Sequence, residues 1–228
     1  TEEILGNRDY TNLPRKFNVA VTGCPDNCIH METQDVALVP AYHDGGHGKS
    51  IGYNVLAGGK LGSGGYRIAT PLDIFVTEGE ALEVSRAIIH IFRDHGSREN
   101  RTQARLAFLL DEWGESRFRQ EVETRVGKTL SLAGVDARKP IEKSHVGIYR
   151  QKQPGMNYVG LKVLVGRIKQ DDLAKIAALA EKYGTGEIRI SPAQALIIPN
   201  VSDRKFGDLD REPLVKQFAY NPSPIYKG

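Results

Sequence analysis

The spacing of apolar residues changes once in the first half of the chain, and that change limits the architectures open to it. Up to about residue 76, apolar residues alternate in short runs broken by glycine-rich loops. Phe17–Val21, Val36–Val39 and Tyr53–Leu56 read as strands. Between them lie Asp44-Gly45-Gly46-His47-Gly48 and the run Gly58 to Gly65. From 77 to 127 the spacing becomes helical. Thr77 and Glu80 are placed as a capping box, and Leu82, Ile88, Ile89 and Phe92 supply an apolar stripe. A second helix is expected from Thr102 to Glu112 and a third around Phe118 and Val122, stopped by Gly127. Strands followed by a block of helices predict an α+β domain over 1–128.

Residues 129–156 are polar without a sustained period and read as a linker. In 157–228 the alternation returns. Val159, Leu161, Val163 and Val165 read as a strand, and Asp171 caps a helix with Leu173, Ile176, Ala177, Ala180 and Tyr183 on one face. Gly184 ends that helix, and strands follow at Glu187–Ser191 and Ala195–Pro199. This β-α-β-β order is most of a ferredoxin-like unit. With one helix it leaves a sheet face and an edge uncovered, so a covering partner is expected. The tail from Pro213, with Pro222 and Pro224, reads as extended.

Composition narrows the function classes. Thirty-one basic against 28 acidic residues give a net charge of +3, too balanced for a nucleic-acid footprint. No apolar run approaches the roughly 18 residues of a membrane span, so no membrane contact is expected. The start at Thr1 is neither a signal nor a transit peptide and lacks an initiator Met, which suggests a piece of something longer. Two cysteines are no disulfide scaffold and fit a reducing, cytoplasmic compartment, or a plastid stroma in a plant or alga.

Five stretches carry polar groups that chemistry can use. On a strand beginning near Phe17, Lys16 and Asn18 share one face and Arg15 and Phe17 the other. A cation and an amide at one spot suit a small anion, although a solvated strand start has the same spacing. Cys24 and Cys28 could share a metal, but a zinc or cubane site needs about four ligands, so two structural cysteines in a turn fit better. Gly58 and Gly59 open a loop whose amides can face carboxylates, or simply turn; no Lys-Ser/Thr pair closes it as a phosphate loop. Arg101 and Arg105, four apart on a helix, can grip carboxylates or form a solvated basic face. Arg189 and Ser191 share a strand face with Gln194 just past the turn, which suits a ligand or a partner domain.

Taken in order, the chain resembles the nitrite and sulfite reductase family. The matching text runs from Asn12-Leu13-Pro14-Arg15-Lys16-Phe17-Asn18 through Gln34-Asp35-Val36-Ala37, Gly52 to Gly59 and Ile68 to Asp73. It continues through Phe92-Arg93-Asp94, Asn100-Arg101 and Ala104-Arg105 to Gly160-Leu161, Gly166-Arg167 and Gly184 through Asn200. It covers nearly the whole chain.

The resemblance implies a tandem duplication of a ferredoxin-like part and a larger cofactor-type part. This chain looks like the first half's larger part followed by the second half's ferredoxin-like half-domain. The family reduces nitrite to ammonium or sulfite to sulfide with six electrons, at sirohaem coupled to a 4Fe–4S cluster. Ferredoxin feeds the plant and cyanobacterial nitrite enzymes. Lys16 and Asn18 match positions facing the anion, where sulfite enzymes tend to have Lys in place of Asn18, so nitrite is the expected substrate. Arg101 and Arg105 match sirohaem-carboxylate contacts, and Arg15, Gly58 and Gly59 are assigned with them to cofactor binding. Arg189 to Gln194 resembles a sirohaem-contacting motif, in the second copy. The two cysteine pairs that hold the cluster belong to the second cofactor-type part, expected past the end of this chain, and arginines that meet the anion and sirohaem belong to an upstream segment, so no metal ligand is assigned and the piece alone is expected to be inactive. A sulfite reductase fragment, or a module that binds a tetrapyrrole or partner without redox chemistry, are the alternatives.

Overall fold

The structure, a computed structural model, describes residues 3–45, 48–62, 65–139 and 144–218. Parts of the two glycine-rich loops (46–47 and 63–64) and the proline-containing end of the tail from 219 lie outside the described residues. The chain forms two compact units, 1–141 and 142–228.

The first unit is built on a mixed sheet. The strands β1 (Val19–Val21), β2 (Val36–Gly45), β3 (Gly48–Ala57) and β4 (Thr70–Val76) are adjacent in that order, and β5 (Val135–Asp136) adds to β2. β1 runs parallel to β2, and β2 and β3 form a long hairpin in which Gly45 opposes Gly48. Alternation gives the sheet two apolar faces. Val36, Leu38, Val55, Leu72, Ile74 and Val76 pack against α1 (Glu78–His95), α2 (Leu106–Trp113) and α3 (Glu115–Val126), which contribute Ile88, Phe92, Leu110 and Phe118. On the opposite face Ala37, Val39 and Leu56 pack with Met31 and Ala69.

Thr77 caps α1 as expected from its spacing: its backbone N–H and its hydroxyl both donate to the Glu80 carboxylate, at 3.0 and 2.8 Å. Leu82 differs, being 46% exposed, and the buried stripe begins at Val84. The second helix starts later than its periodicity suggests. The Asn100 side chain accepts from the backbone of Thr102 at 3.0 Å, holding a turn, and Arg105 is the N-cap of α2. Arg101 and Arg105 therefore do not share a helical face. Gly127 ends α3 at φ 78°, a left-handed conformation that suits glycine.

The stretch 129–156 is not a plain linker. Ser131 accepts from the Phe75 backbone, β5 pairs with β2, and β6 (Gly147–Arg150) belongs to the second unit's sheet. These strands are short and polar, so periodicity misses them.

Among the described residues the second unit has four strands rather than three, in the order β6, β7 (Met156–Lys162), β9 (Ala195–Ser202) and β8 (Arg189–Ser191), with all neighbours antiparallel. Three helices cover one face: α4 (Gln170–Tyr183), α5 (Asp203–Arg211) and the short α6 (Pro213–Gln217). Their contacts with Val159, Leu161, Leu196, Ile198 and Val201 make this unit's core. The tail therefore begins as a helix, not as extended chain. β7 stops at Lys162, because Val165 takes φ 50° in a tight turn and stands 77% exposed. Lys169, not Asp171, is the N-cap of α4, whose buried stripe is Ile176, Leu179, Ala180 and Tyr183, while Leu173 is exposed.

Candidate functional site

The predicted anion-facing residues lie just ahead of β1. Lys16 is exposed, and Phe17 turns inward, its ring 5.2 Å from Phe92. Asn18 is half-buried and tied by its backbone: its carbonyl accepts from Val36 N–H at 3.0 Å, and its own N–H donates to Asp35 Oδ2 at 2.9 Å. The strand itself begins one residue later, at Val19.

Three of the predicted residues, Asn18, Gly58 and Arg105, converge on Asp35. Its carboxylate is fully buried and accepts Arg105 Nε at 2.8 Å and Nη2 at 2.7 Å, a two-bond fork, together with the Asn18 amide. Its backbone carbonyl accepts Gly58 N–H at 2.8 Å. A buried carboxylate needs this many donors, because an unpaired one would cost several kcal/mol. Arg105 retains Nη1, which has no hydrogen bond among the described residues. Arg101 is exposed, in the turn before α2, and Arg15 is half-buried.

The glycines have a packing reason. A Cβ on Gly59 would lie 2.5 Å from the carbonyl oxygens of both Glu32 and Gln34. Gly58 has φ 75°, and a Cβ there would meet Arg67 Nη1 at 2.6 Å. Arg67 crosses it to donate to the Gly58 carbonyl at 3.0 Å while its Nε reaches Asp111 at 3.0 Å. The Gly58 amide is thus already engaged with Asp35 rather than open to a ligand. Lys60, 4% exposed, sits 4.8 Å from the Phe108 ring on α2. Asp35, Lys60 and Arg67 were not among the residues singled out from the sequence. For Lys60 and Arg67 the available signal is charge in and beside a glycine run between apolar strands; Asp35 carries no such signal.

Cys24 and Cys28 are not joined in a disulfide, and both are half-buried. Their loop is held by other groups: Lys139 N–H donates to the Pro25 carbonyl at 2.8 Å, and Asn27 donates to Glu32 at 2.7 Å. Among the described residues no group of three or more His, Cys, Asp or Glu side chains could hold a metal. A 4Fe–4S cluster takes about four thiolates, and two cysteines in the chain do not fit it.

In the second unit, Arg189 and Ser191 lie on β8, paired with Ile197 and Ala195 of β9. Arg189 is 64% exposed and its Nε donates to Glu187 at 2.6 Å. It lines a cleft of about 270 Å³ with His145, Gln151, Tyr158, Ile197 and Pro199. Gln194 is the β8–β9 turn residue, at φ 58°; its carbonyl accepts Val163 N–H at 2.9 Å. No helix among the described residues is long and apolar enough to cross a membrane.

Comparison with known proteins places these features in a family. A family model described as the nitrite and sulphite reductase 4Fe-4S domain matches residues 1–130, and one described as the nitrite/sulfite reductase ferredoxin-like half domain matches 149–215. The ferredoxin–nitrite reductase of Synechococcus elongatus is 42% identical over 224 residues, which is 98% of this chain and 43% of that protein. The chloroplastic ferredoxin–nitrite reductase of Arabidopsis thaliana is 41% identical over 100% of this chain and 39% of its own length. The structure of Mycobacterium tuberculosis NirA superposes with a TM-score of 0.89 at 32% identity, over 99% of this chain and 41% of NirA. The chain thus spans well under half the length of the relatives it matches. It belongs to the nitrite and sulphite reductase family, as an α+β domain of the 4Fe–4S type joined to a ferredoxin-like half domain.

Proposed function

We propose that this chain is part of an assimilatory nitrite reductase that takes electrons from ferredoxin and reduces nitrite to ammonium. The observation that carries this reading is Asn18, half-buried and fixed through its backbone to Asp35 and Val36, two residues along from the exposed Lys16. Relatives named ferredoxin–nitrite reductase that align over nearly the whole chain support it. Sirohaem, when bound, would supply the iron that takes the anion and passes it six electrons. This chain's part is electrostatic and geometric. Lys16 attracts the anion and can hold a proton near the oxygens that leave as water. Asn18 donates a hydrogen bond without adding charge. Arg105 Nη1 and the exposed Arg101 suit the carboxylates of a tetrapyrrole, and Arg15 is read with them as a third cation. No step is assigned to the cluster, whose ligands do not fit this chain. Arg189 and Gln194 line the second unit and are read as a contact of the duplicated copy.

Asn18→Lys in the full-length reductase tests the reading. Nitrite is a monoanion and sulfite a dianion, so a second cation favours sulfite. One charge at about 4 Å is worth roughly 4 kcal/mol at an effective dielectric near 20, before desolvation removes most of it. A residual of about 1.4 kcal/mol shifts the nitrite-to-sulfite ratio of kcat/KM about tenfold toward sulfite. An unchanged ratio at full sirohaem content would remove the support for nitrite.

A further inference from the structure

The buried carboxylate of Asp35 links two residues that the proposed function uses separately. Its Oδ2 accepts both the Asn18 amide, at 2.9 Å, and Arg105 Nη2, at 2.7 Å, while Oδ1 accepts Arg105 Nε at 2.8 Å. Its side chain is 0% exposed and that of Arg105 is 11% exposed. We infer that Asp35 is a positioning residue: one carboxylate sets both the backbone register of Asn18, and so the placement of its amide, and the orientation of the Arg105 guanidinium. This rests on the proposed anion site.

Three observations carry it. First, the hydrogen bond falls one residue before β1, where the ladder to β2 has narrowed to the Val36–Asn18 bond, so without Asp35 the Asn18 N–H has no partner among the described residues. Second, Arg105 is the N-cap of α2, a backbone position that fixes where its side chain starts but not where it ends. Two parallel hydrogen bonds to one carboxylate fix the plane of a guanidinium, which a single bond does not. Third, Asp35 is itself held: its carbonyl accepts the Gly58 amide, and the following residue, Val36, begins β2. The carboxylate is therefore attached to the rigid part of the sheet, and its two clients are attached to it. The fork also balances charge, so that Arg105 offers a tetrapyrrole carboxylate an oriented N–H while the buried pair stays neutral.

The test uses Asp35→Ala, which removes the acceptor from both clients, and the double variant Asp35→Asn with Arg105→Gln. The double variant removes both charges yet keeps an oxygen for the Asn18 amide. Amide hydrogen exchange at Asn18 is followed by NMR in the 228-residue chain, and nitrite and sulfite kcat/KM are measured in the full-length reductase with sirohaem content read by absorption. Asn18 should exchange slowly in the wild type. Asp35→Ala should speed that exchange about tenfold or more and change the nitrite-to-sulfite ratio about fivefold or more. The double variant should keep the Asn18 exchange within about twofold of wild type while retaining less sirohaem. If Asp35→Ala does not fold, the double variant is compared with Asp35→Leu paired with Arg105→Gln, which removes both charges and the acceptor: faster Asn18 exchange in the latter supports the role and equal exchange overturns it. Fast exchange at Asn18 in the wild type also overturns it. If Asn18→Lys moves the ratio and a folded Asp35→Ala does not, the positioning role fails and the nitrite reading stands. If neither moves it, the nitrite reading fails and the positioning role goes with it.

Discussion

Each of the two units carries an arginine proposed above as a cofactor contact, Arg105 and Arg189, and the two sit in opposite environments. In the first unit the sheet is packed on both faces, by the helices on one side and by Met31 and its neighbours on the other. Arg105 is nearly enclosed and forks onto a carboxylate with no exposure. In the second unit the core lies on one sheet face, and Arg189 stands largely in solvent beside Glu187. A buried charge must have its partner in place before the fold is stable, so the position of Arg105 is dictated by the structure. An exposed pair is screened by water and ions, so that Arg189 is available to whatever occupies its cleft.

The comparison breaks most readily at Arg105. Arg105→Ala leaves the Asp35 carboxylate buried with only the Asn18 amide, and removing one member of a buried pair typically costs about 3–5 kcal/mol. Trp113, the single tryptophan, lies at the end of α2 in the same unit, so its fluorescence follows this unit's unfolding in urea. The midpoint should fall far below wild type. A loss under about 1 kcal/mol would mean that the fork is wet and that Arg105 resembles Arg189 after all.

Gly59 sharpens the same contrast from the backbone side. With two carbonyl oxygens 2.5 Å from its ideal Cβ, Gly59→Ala forces β3 away from the segment 32–34. Overpacking against backbone typically costs about 1–3 kcal/mol, and little here can move. Gly23 has nothing within 4 Å of its Cβ, so Gly23→Ala is the matched control and should be near neutral. The same fluorescence transition reads both. If Gly59→Ala were as mild as the control, the glycine would be present for a ligand rather than for packing.

What the sequence shows of this molecule follows the range of the interactions. α1 was legible because its cap and stripe are local: Thr77 and Glu80 meet three residues apart. Gly127 marked the end of α3 for the same reason. β4 was missed although Leu72, Ile74 and Val76 alternate, because Pro71 and Asp73 interrupt the run. α5 was missed because most of Asp203–Arg211 is charged and only Phe206 and Leu209 reach the core. The start of α2 was misplaced because the spacing of Arg101 and Arg105 imitates a helical face that the Asn100 turn interrupts. In the candidate site, the sequence pairs Lys16 with Asn18 and Arg101 with Arg105. Asp35, which joins Asn18 to Arg105, was not legible, since its contacts with them are 17 and 70 residues away and one sequence carries no trace of such pairing.

Between the buried and exposed extremes lies the cap of α1. Glu80 is held down to a pKa of about 2, first by the Lys128 ammonium, with which it pairs at 2.6 Å, and then by the Thr77 backbone and hydroxyl. The folded value is below the ordinary carboxylate value of 4.5, so the folded state favours the ionised form. That contribution is complete above about pH 4.5 and is lost as pH falls toward about 2. Glu80→Gln should therefore lower stability at pH 7 and narrow its gap to wild type at the acid end. Lys128 is about half exposed, which keeps the effect modest, near the ~1 kcal/mol of an ordinary N-terminal cap. Urea midpoints at several pH values between neutrality and the acid limit measure it. A gap that stays constant with pH would show that the charge of Glu80 contributes nothing.

The smallest effect is expected at Glu187. Its carboxylate meets Arg189 two residues along, with the two side chains 43% and 64% exposed. Pairs of this kind contribute about 0–1 kcal/mol, because water screens the attraction and two long side chains lose freedom in holding one geometry. Arg189 lies at the start of the edge strand β8, whose ladder to β9 is made by the backbone and survives the loss of either side chain. Glu187→Ala should shift native-state hydrogen exchange of the β9 amides, which report this tryptophan-free unit, by no more than about 0.5 kcal/mol. The shift should shrink further at high salt. The variant should also free the Arg189 guanidinium toward the cleft it shares with His145 and Tyr158. A loss above about 1.5 kcal/mol that salt does not reduce would mean that the pair is desolvated in solution. Both units would then hold their arginines by the same buried device, and the contrast between them would disappear.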